Sequence, residues 1–271
     1  MKLKYISIIL ITLFTVNTIT AQDFQGVATY KSHRKVNLKM NNENSEMQKQ
    51  IQEQIRKQFQ QEYTLTFNKN ESTYKQNEKL AAPAPAQSGI QISISQGSGV
   101  MYKNVKENRF TNKTEMFGKL FLIKDTLSSR KWELVNETKN IGKYTCFKAT
   151  FSDEYETQTL NEEGELTNET KERITTVWYT PQIPVNNGPS DFHGLPGLIL
   201  EVNDGDLTLV CSKIVINPKE QIDIVEPKKG KEITQTKFDE IQEKKTQEMM
   251  ERFHSRRGNG DGGEMIISIG G

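Results

Sequence analysis

Cysteine, net charge and long apolar runs are all scarce in this sequence of 271 residues. Two cysteines cannot build the dense disulfide framework that stabilises many small secreted domains. The 36 basic and 35 acidic residues nearly cancel, so the clustered positive charge typical of nucleic-acid-binding proteins is missing. A mean hydropathy of -0.69 excludes a protein with several membrane spans. Twelve Phe, eight Tyr and two Trp nevertheless supply large side chains for a folded core.

Motifs that carry catalysis are also scarce. The sequence has no Walker loop, no G-x-S-x-G nucleophile motif and no H-E-x-x-H zinc motif. Gly258, Gly260 and Gly263 match the spacing of a dinucleotide-binding loop, but they follow a predicted helix, whereas that loop follows a strand and opens a helix. The three histidines are scattered singly, which does not favour a zinc site. We therefore predict no catalytic residue, no cofactor and no metal site, and an enzyme is the least favoured class.

The first 21 residues are typical of a secretory signal peptide. Lys2 and Lys4 precede an apolar run over residues 6–16, and the small residue Ala21 follows. The run is shorter than the ~20 residues that a membrane-spanning helix needs. We expect cleavage after Ala21 and export of a soluble product without a transmembrane span. A retained N-terminal anchor helix is the alternative.

Cys146 and Cys211 are the only cysteines, and both lie in predicted strands. An even number of cysteines in an exported chain allows one disulfide. Buried free cysteine is also common in strands. The sequence leaves both states open.

Two segments show helical periodicity, and strand patterns occupy most of the remaining sequence. Apolar residues recur every four positions over residues 45–60, which predicts an amphipathic helix, and a second helix is predicted over residues 236–253. Strands are predicted at residues 26–30, 63–67, 72–75, 100–104, 109–115, 118–123, 132–138, 144–152, 173–180, 198–203 and 207–216. Successive strands without helices between them favour an antiparallel sheet.

We therefore expect one mainly β domain over residues 22–257. The predicted architecture is a curved antiparallel sheet or partial barrel, with the two helices at its periphery. Residues 76–97 are rich in Pro, Ala, Gly and Ser and are predicted to form a flexible insert. Residues 258–271 are predicted to form a Gly-rich tail with one edge strand.

A connection with four prolines joins the predicted strands at residues 173–180 and 198–203. Proline holds the backbone extended and cannot donate to a strand ladder. In one interpretation the connection is structural, and its apolar residues plug one end of the curved sheet. In the other it forms the lip of an apolar ligand cavity. The second interpretation makes five residues candidates for binding: Trp178, Tyr179, Phe192, Leu195 and Leu198.

The same connection ends in the hexapeptide GLPGLI, formed by Gly194, Leu195, Pro196, Gly197, Leu198 and Ile199. With residues 118–125 and 138–149 in matching order, the chain resembles the GLPGLI family of exported Bacteroidetes proteins. The resemblance implies a Gram-negative envelope location, periplasmic or secreted, and brings no established activity or catalytic residue. It also implies an association with outer-membrane import systems. The expected architecture is similar to that of periplasmic lipoprotein carriers, whose half-barrel holds acyl chains, although a shared fold does not establish function.

We expect a non-catalytic binding or carrier module for an apolar small molecule or an outer-membrane partner. The alternative is a structural accessory protein of an outer-membrane import system. An apolar cavity of several hundred Å³ would favour a carrier. A filled core with an exposed apolar patch would favour a scaffold.

The signal peptide predicts that the mature protein begins at Gln22. N-terminal sequencing of the protein from a cell-envelope or culture fraction measures this directly. Membrane-bound protein that retains residues 1–21 would instead identify an anchor helix.

Overall fold

The computed structural model describes residues 24–34, 60–78, 99–160, 166–220 and 222–257. Four predicted segments lie wholly or almost wholly outside these ranges: the signal peptide, the helix over residues 45–60, the insert over residues 76–97 beyond its first residues, and the tail over residues 258–271.

Twelve strands in the described residues form a single sheet. They are β1 (Gln25–Arg34), β2 (Glu62–Asn68), β3 (Glu71–Gln76), β4 (Val100–Asn104), β5 (Arg109–Met116), β6 (Lys119–Thr126), β7 (Glu133–Ile141), β8 (Tyr144–Leu160), β9 (Leu166–Thr180), β10 (Leu198–Asn203), β11 (Leu207–Ile216) and β12 (Lys231–Ile233). Their order across the sheet is β12-β6-β5-β4-β3-β2-β1-β11-β10-β9-β8-β7. Neighbouring strands are antiparallel except for β12, which runs parallel to β6.

The sheet is open and curls around one main core. Along β1, Ala28, Tyr30 and Ser32 are buried while the side chains between them are partly or fully exposed, as expected for a strand with one face against a core. Tyr74 of β3 and Cys146 of β8 belong to the same buried cluster, although five strands lie between them in the sheet. The predicted mainly β, curved antiparallel architecture is therefore confirmed.

The strand boundaries differ from the prediction in two respects. β8 and β9 extend well beyond their predicted lengths and pair with each other up to Leu160 and Leu166. Their distal halves are rich in Thr and Glu, so they lack the apolar alternation that marks a strand in sequence. The strand β12 was not predicted, because three residues are too few for any periodic pattern.

One helix, α1 (Gln235–Arg257), confirms the second predicted helix. The Thr234 hydroxyl accepts a hydrogen bond from the backbone N–H of Lys237 at 3.3 Å, as an N-cap residue does. The Asp125 carboxylate of β6 accepts a second bond, from the N–H of Gln235 at 3.0 Å. Phe238 then packs edge-on against Phe121 of β6, with ring centroids 5.6 Å apart. Within the described part of the chain, no helix is both long and apolar enough to cross a membrane.

The β9–β10 loop, residues 181–197, fills the concave side of the sheet. Ile183, Val185 and Leu195 are almost completely buried in its two core clusters. The loop folds back along the start of β10, where the N–H groups of Leu198 and Ile199 donate to carbonyl groups of the loop at 3.0 Å. This arrangement matches the plug that the proline-rich connection suggested.

Gly197 brings two backbone segments into direct contact. A Cβ atom at this position would lie 2.2 Å from the carbonyl oxygen of Thr180 and 2.8 Å from the nitrogen of Pro181. The φ angle of Gly197 is not in the left-handed region, so close approach alone requires glycine here. Gly194 differs, since its φ is +100° and its Cβ position faces the Trp132 indole.

Lys103 of β4 holds the middle of the loop by hydrogen bonds. Its fully buried ammonium donates to the carbonyl oxygens of Gly188 at 2.7 Å and Phe192 at 3.1 Å. Burial lowers the pKa of Lys103 to about 7, and the positive charge of Arg130 acts in the same direction while Asp191 opposes it. No other charged side chain in the described residues is as deeply buried.

Replacing Gly197 with alanine is expected to lower the free energy of unfolding by about 3 kcal/mol or more, because the new methyl group meets backbone that cannot rotate away. Gly142→Ala is the matched control. Gly142 has a φ of +58° but open space around its Cβ position, so only a backbone cost of about 1 kcal/mol is expected. Leu195→Ala should cost about 2–5 kcal/mol through loss of buried side-chain contacts. Denaturant unfolding of the three variants measures these effects, and equal losses for both glycines would contradict the close-contact explanation.

The pKa of Lys103 predicts how stability depends on pH. Between pH 7 and 9 the unfolded chain keeps the proton that the folded state has released, so the free energy of unfolding should rise with pH, by up to about 1.4 kcal/mol per unit. The rise should be absent in Lys103→Met and retained in Lys131→Met, which replaces an exposed lysine. Urea unfolding at several pH values gives the slopes. Parallel curves for the parent and Lys103→Met would contradict the assignment.

Candidate functional site

The five residues predicted to bind a ligand are brought together by the loop and its flanking strands, but mostly as core. Tyr179, Leu195 and Leu198 are buried, while Trp178 and Phe192 are partly buried and pack against the two core clusters. The Lys139 ammonium lies 4.4 Å from the centroid of the Trp178 ring. None of the five lines the groove described below. Their role in binding stays a prediction.

Charged and aromatic side chains surround the outer end of the loop. Arg130 pairs with the Asp191 carboxylate and donates to the Asp191 carbonyl oxygen at 2.9 Å. Its guanidinium lies over the Phe192 ring at 4.7 Å, and the Trp132 indole donates to the His193 carbonyl oxygen at 2.9 Å. These contacts fix the path of the loop backbone.

His193 is the only histidine in this group, and burial lowers its pKa. Its Nδ1 lies 3.0 Å from the carbonyl oxygen of Asp191. The polar contacts of His193 and Lys103 in the described residues are thus made with loop carbonyl oxygens. The arrangement holds a loop in place, and it does not resemble an acid–base pair around an open pocket.

Cys146 and Cys211 belong to the same core cluster, and both are free thiols in this structure. Burial raises the pKa of Cys146 to about 11 and that of Cys211 to about 12. Both therefore stay protonated at neutral pH, where a thiol is a poor nucleophile. A disulfide between them is one of the two states that the sequence leaves open, and this structure shows the other, with both thiols free.

A second candidate site lies at the β12 edge of the sheet, between the turn joining β5 to β6 and one side of α1. We call it the hairpin groove, and its volume is about 830 Å³. It is lined by Met116, Phe117, Lys119, Leu120, Phe121, Lys231, Ile241, Lys245 and Glu248. The volume lies within the range of small-molecule sites, about 300–1,000 Å³.

Phe117 at the hairpin turn is the unusual residue of this groove. It is 61% exposed, and Leu120 beside it is 43% exposed. The φ angles of Phe117 and Gly118 are 51° and 72°, so both central turn residues have positive φ, as a type I′ turn requires. Asn or Gly normally occupies the first of these positions, because a side chain with a bulky Cβ substituent is strained there. An exposed aromatic ring held in a strained backbone position suggests a role outside the fold.

The strands β6 and β12 and the helix α1 form the remaining walls of the groove. β12 pairs with β6 so that Lys231 lies opposite Phe121, and Ile233 lies opposite Ile123. Gly230, with a φ of +145°, permits this approach, because its Cβ position is 2.8 Å from the Phe121 backbone. The contact between Phe238 and Phe121 then directs α1 along the other side.

Sequence reasoning located the candidate site on the β9–β10 loop and missed the hairpin groove. The residues of the groove come from the hairpin, β12 and α1, which are far apart in sequence. One signal was available, because a large aromatic residue directly before Gly118 in a two-residue turn is itself unusual.

One family model and two solved structures are similar to parts of the chain. A family model described as a protein of unknown function (Porph_ging) matches residues 132–201, a stretch that contains the GLPGLI hexapeptide. No curated protein matches the chain. Two crystal structures of PNGF-II, in the C2 and P21 space groups, are similar to it with 16% identity and TM-scores of 0.49 and 0.48. Each match covers 80% of this chain and 32% of PNGF-II, so the chain spans about a third of that protein's length.

Proposed function

We propose that the protein is an exported, non-catalytic binding module for an apolar ligand, and that the hairpin groove is its binding site. The single observation that carries the proposal is Phe117, an exposed aromatic residue at positive φ on the wall of a groove of about 830 Å³. Export is supported by the signal-like pattern over residues 1–21.

The filled concave face moves the proposed site away from the centre of the sheet. In a half-barrel carrier the ligand lies inside the curl, but here the β9–β10 loop and Lys103 occupy that space. The groove at the sheet edge instead offers partly exposed apolar side chains between two walls. Burial of a Phe or Leu side chain is worth about 1.5–3 kcal/mol, so a ligand covering Phe117 and Leu120 gains affinity from surface that the fold leaves in water.

The variant Phe117→Asn tests ligand binding without a loss of stability. Asn-Gly is the preferred sequence of a type I′ turn, so the variant should be as stable as the parent or more stable by about 0.5–1 kcal/mol. Its affinity for the neutral fluorescent probe N-phenyl-1-naphthylamine should fall about tenfold, as expected for loss of one buried aromatic contact. Fluorescence titration and thermal unfolding measure the two quantities.

Ile174→Asn is the matched control, because Ile174 is 63% exposed on β9 and does not line the groove. This variant should bind the probe like the parent. Unchanged binding by Phe117→Asn, or an equal loss in both variants, would show that the probe binds elsewhere.

A further inference from the structure

We propose that the ligand of the hairpin groove is a single-chain anionic amphiphile, with a carboxylate or similar acid at one end of an apolar chain. This inference rests on the proposed function and adds the chemical class of the ligand. The apolar residues of the groove would contact the chain, and lysines at its rim would bind the acid.

Charge at the groove is unequal. Lys119, Lys231 and Lys245 line it together with one acidic residue, Glu248. Glu248 is already paired with Lys245, at 2.5 Å within α1. Lys119 and Lys231 are exposed, and neither makes an ion pair in the part of the chain that the structure describes. Two lysine ammonium groups thus remain for an acid.

The backbone sets both lysines beside the apolar surface. Lys119 is the first residue of β6 and directly precedes Leu120 and Phe121. Lys231 is the first residue of β12, opposite Phe121 in the parallel ladder. Side chains alternate along a strand, so Lys119 lies on the same face as Phe121, and Lys231 lies opposite Phe121 on that face. A ligand on the Phe121 side of the groove therefore has an ammonium group available from each strand. The next charged pair on these strands is already satisfied, because the Lys124 ammonium of β6 lies 2.5 Å from the Glu232 carboxylate of β12.

The shape of the groove favours one chain over a membrane surface. Two walls, the hairpin and α1, flank a half-open volume that suits a small molecule. A lipid bilayer is flat on this scale and would contact mainly the tip at Phe117. The groove thus matches a monomeric amphiphile that enters between the walls.

The experiment compares cis-parinaric acid with its methyl ester, which keeps the chain and removes the charge. Fluorescence titration of the mature protein at low salt should give about fivefold to tenfold tighter binding for the acid. The preference should disappear in the double variant Lys119→Met/Lys231→Met, while its affinity for the ester should stay that of the parent. The control, Lys106→Met/Lys131→Met, removes two exposed lysines outside the groove and should keep the preference.

Other outcomes overturn the inference in distinguishable ways. Equal affinity of the parent for acid and ester would refute the anionic ligand and leave the proposed function standing. An acid preference that survives in Lys119→Met/Lys231→Met would show that other groups bind the acid. Absence of binding to both probes would refute the proposed function as well. Binding to vesicles of anionic phospholipid, without binding of monomeric acid, would replace the ligand with a membrane surface.

Discussion

The hydrogen bonds from Lys103 to the carbonyl oxygens of Gly188 and Phe192 join β4 to a loop that begins and ends on the opposite side of the curl. Removing an ammonium group from water is costly, and only close backbone acceptors and a lowered pKa make it tolerable. The Tyr30 hydroxyl adds a similar bond to the Ile199 carbonyl oxygen at 2.7 Å. Together these bonds hold the loop inside the sheet, and they leave the curl without the central space that a half-barrel carrier uses.

Much of the fold could be predicted from the sequence, because its signals are local. The alternation of residues around Tyr30 and the proline-rich connection before β10 each depend on a few neighbouring residues. The burial of Leu195 agrees with one of the two interpretations of the connection, the structural one. The structural interpretation of the loop agrees with its packing, and close backbone contact is what requires glycine at position 197.

The hairpin groove could not be predicted in the same way. Its walls meet only because three residues of β12 pair with β6 more than 100 positions earlier, and no periodic pattern encodes such a pairing. The burial of Lys103 could not be predicted from the sequence either, because an isolated lysine in a strand usually points to solvent. An apolar binding site was expected at the β9–β10 loop, whereas the position of the hairpin groove depends on long-range contacts.

The attachment of α1 has a consequence for the order in which the molecule assembles. The pairing of β12 with β6 closes a stretch of more than 100 residues for only three ladder positions, so the entropy of loop closure is large relative to the bonds gained. The long β8–β9 ladder and the antiparallel hairpins need no such closure. We therefore expect the groove to form late in folding, and its helical wall to open before the sheet does, because only three ladder positions hold β12. Amide hydrogens near Lys231 would exchange with solvent through this local opening, while those of the central strands would exchange only when the whole domain unfolds.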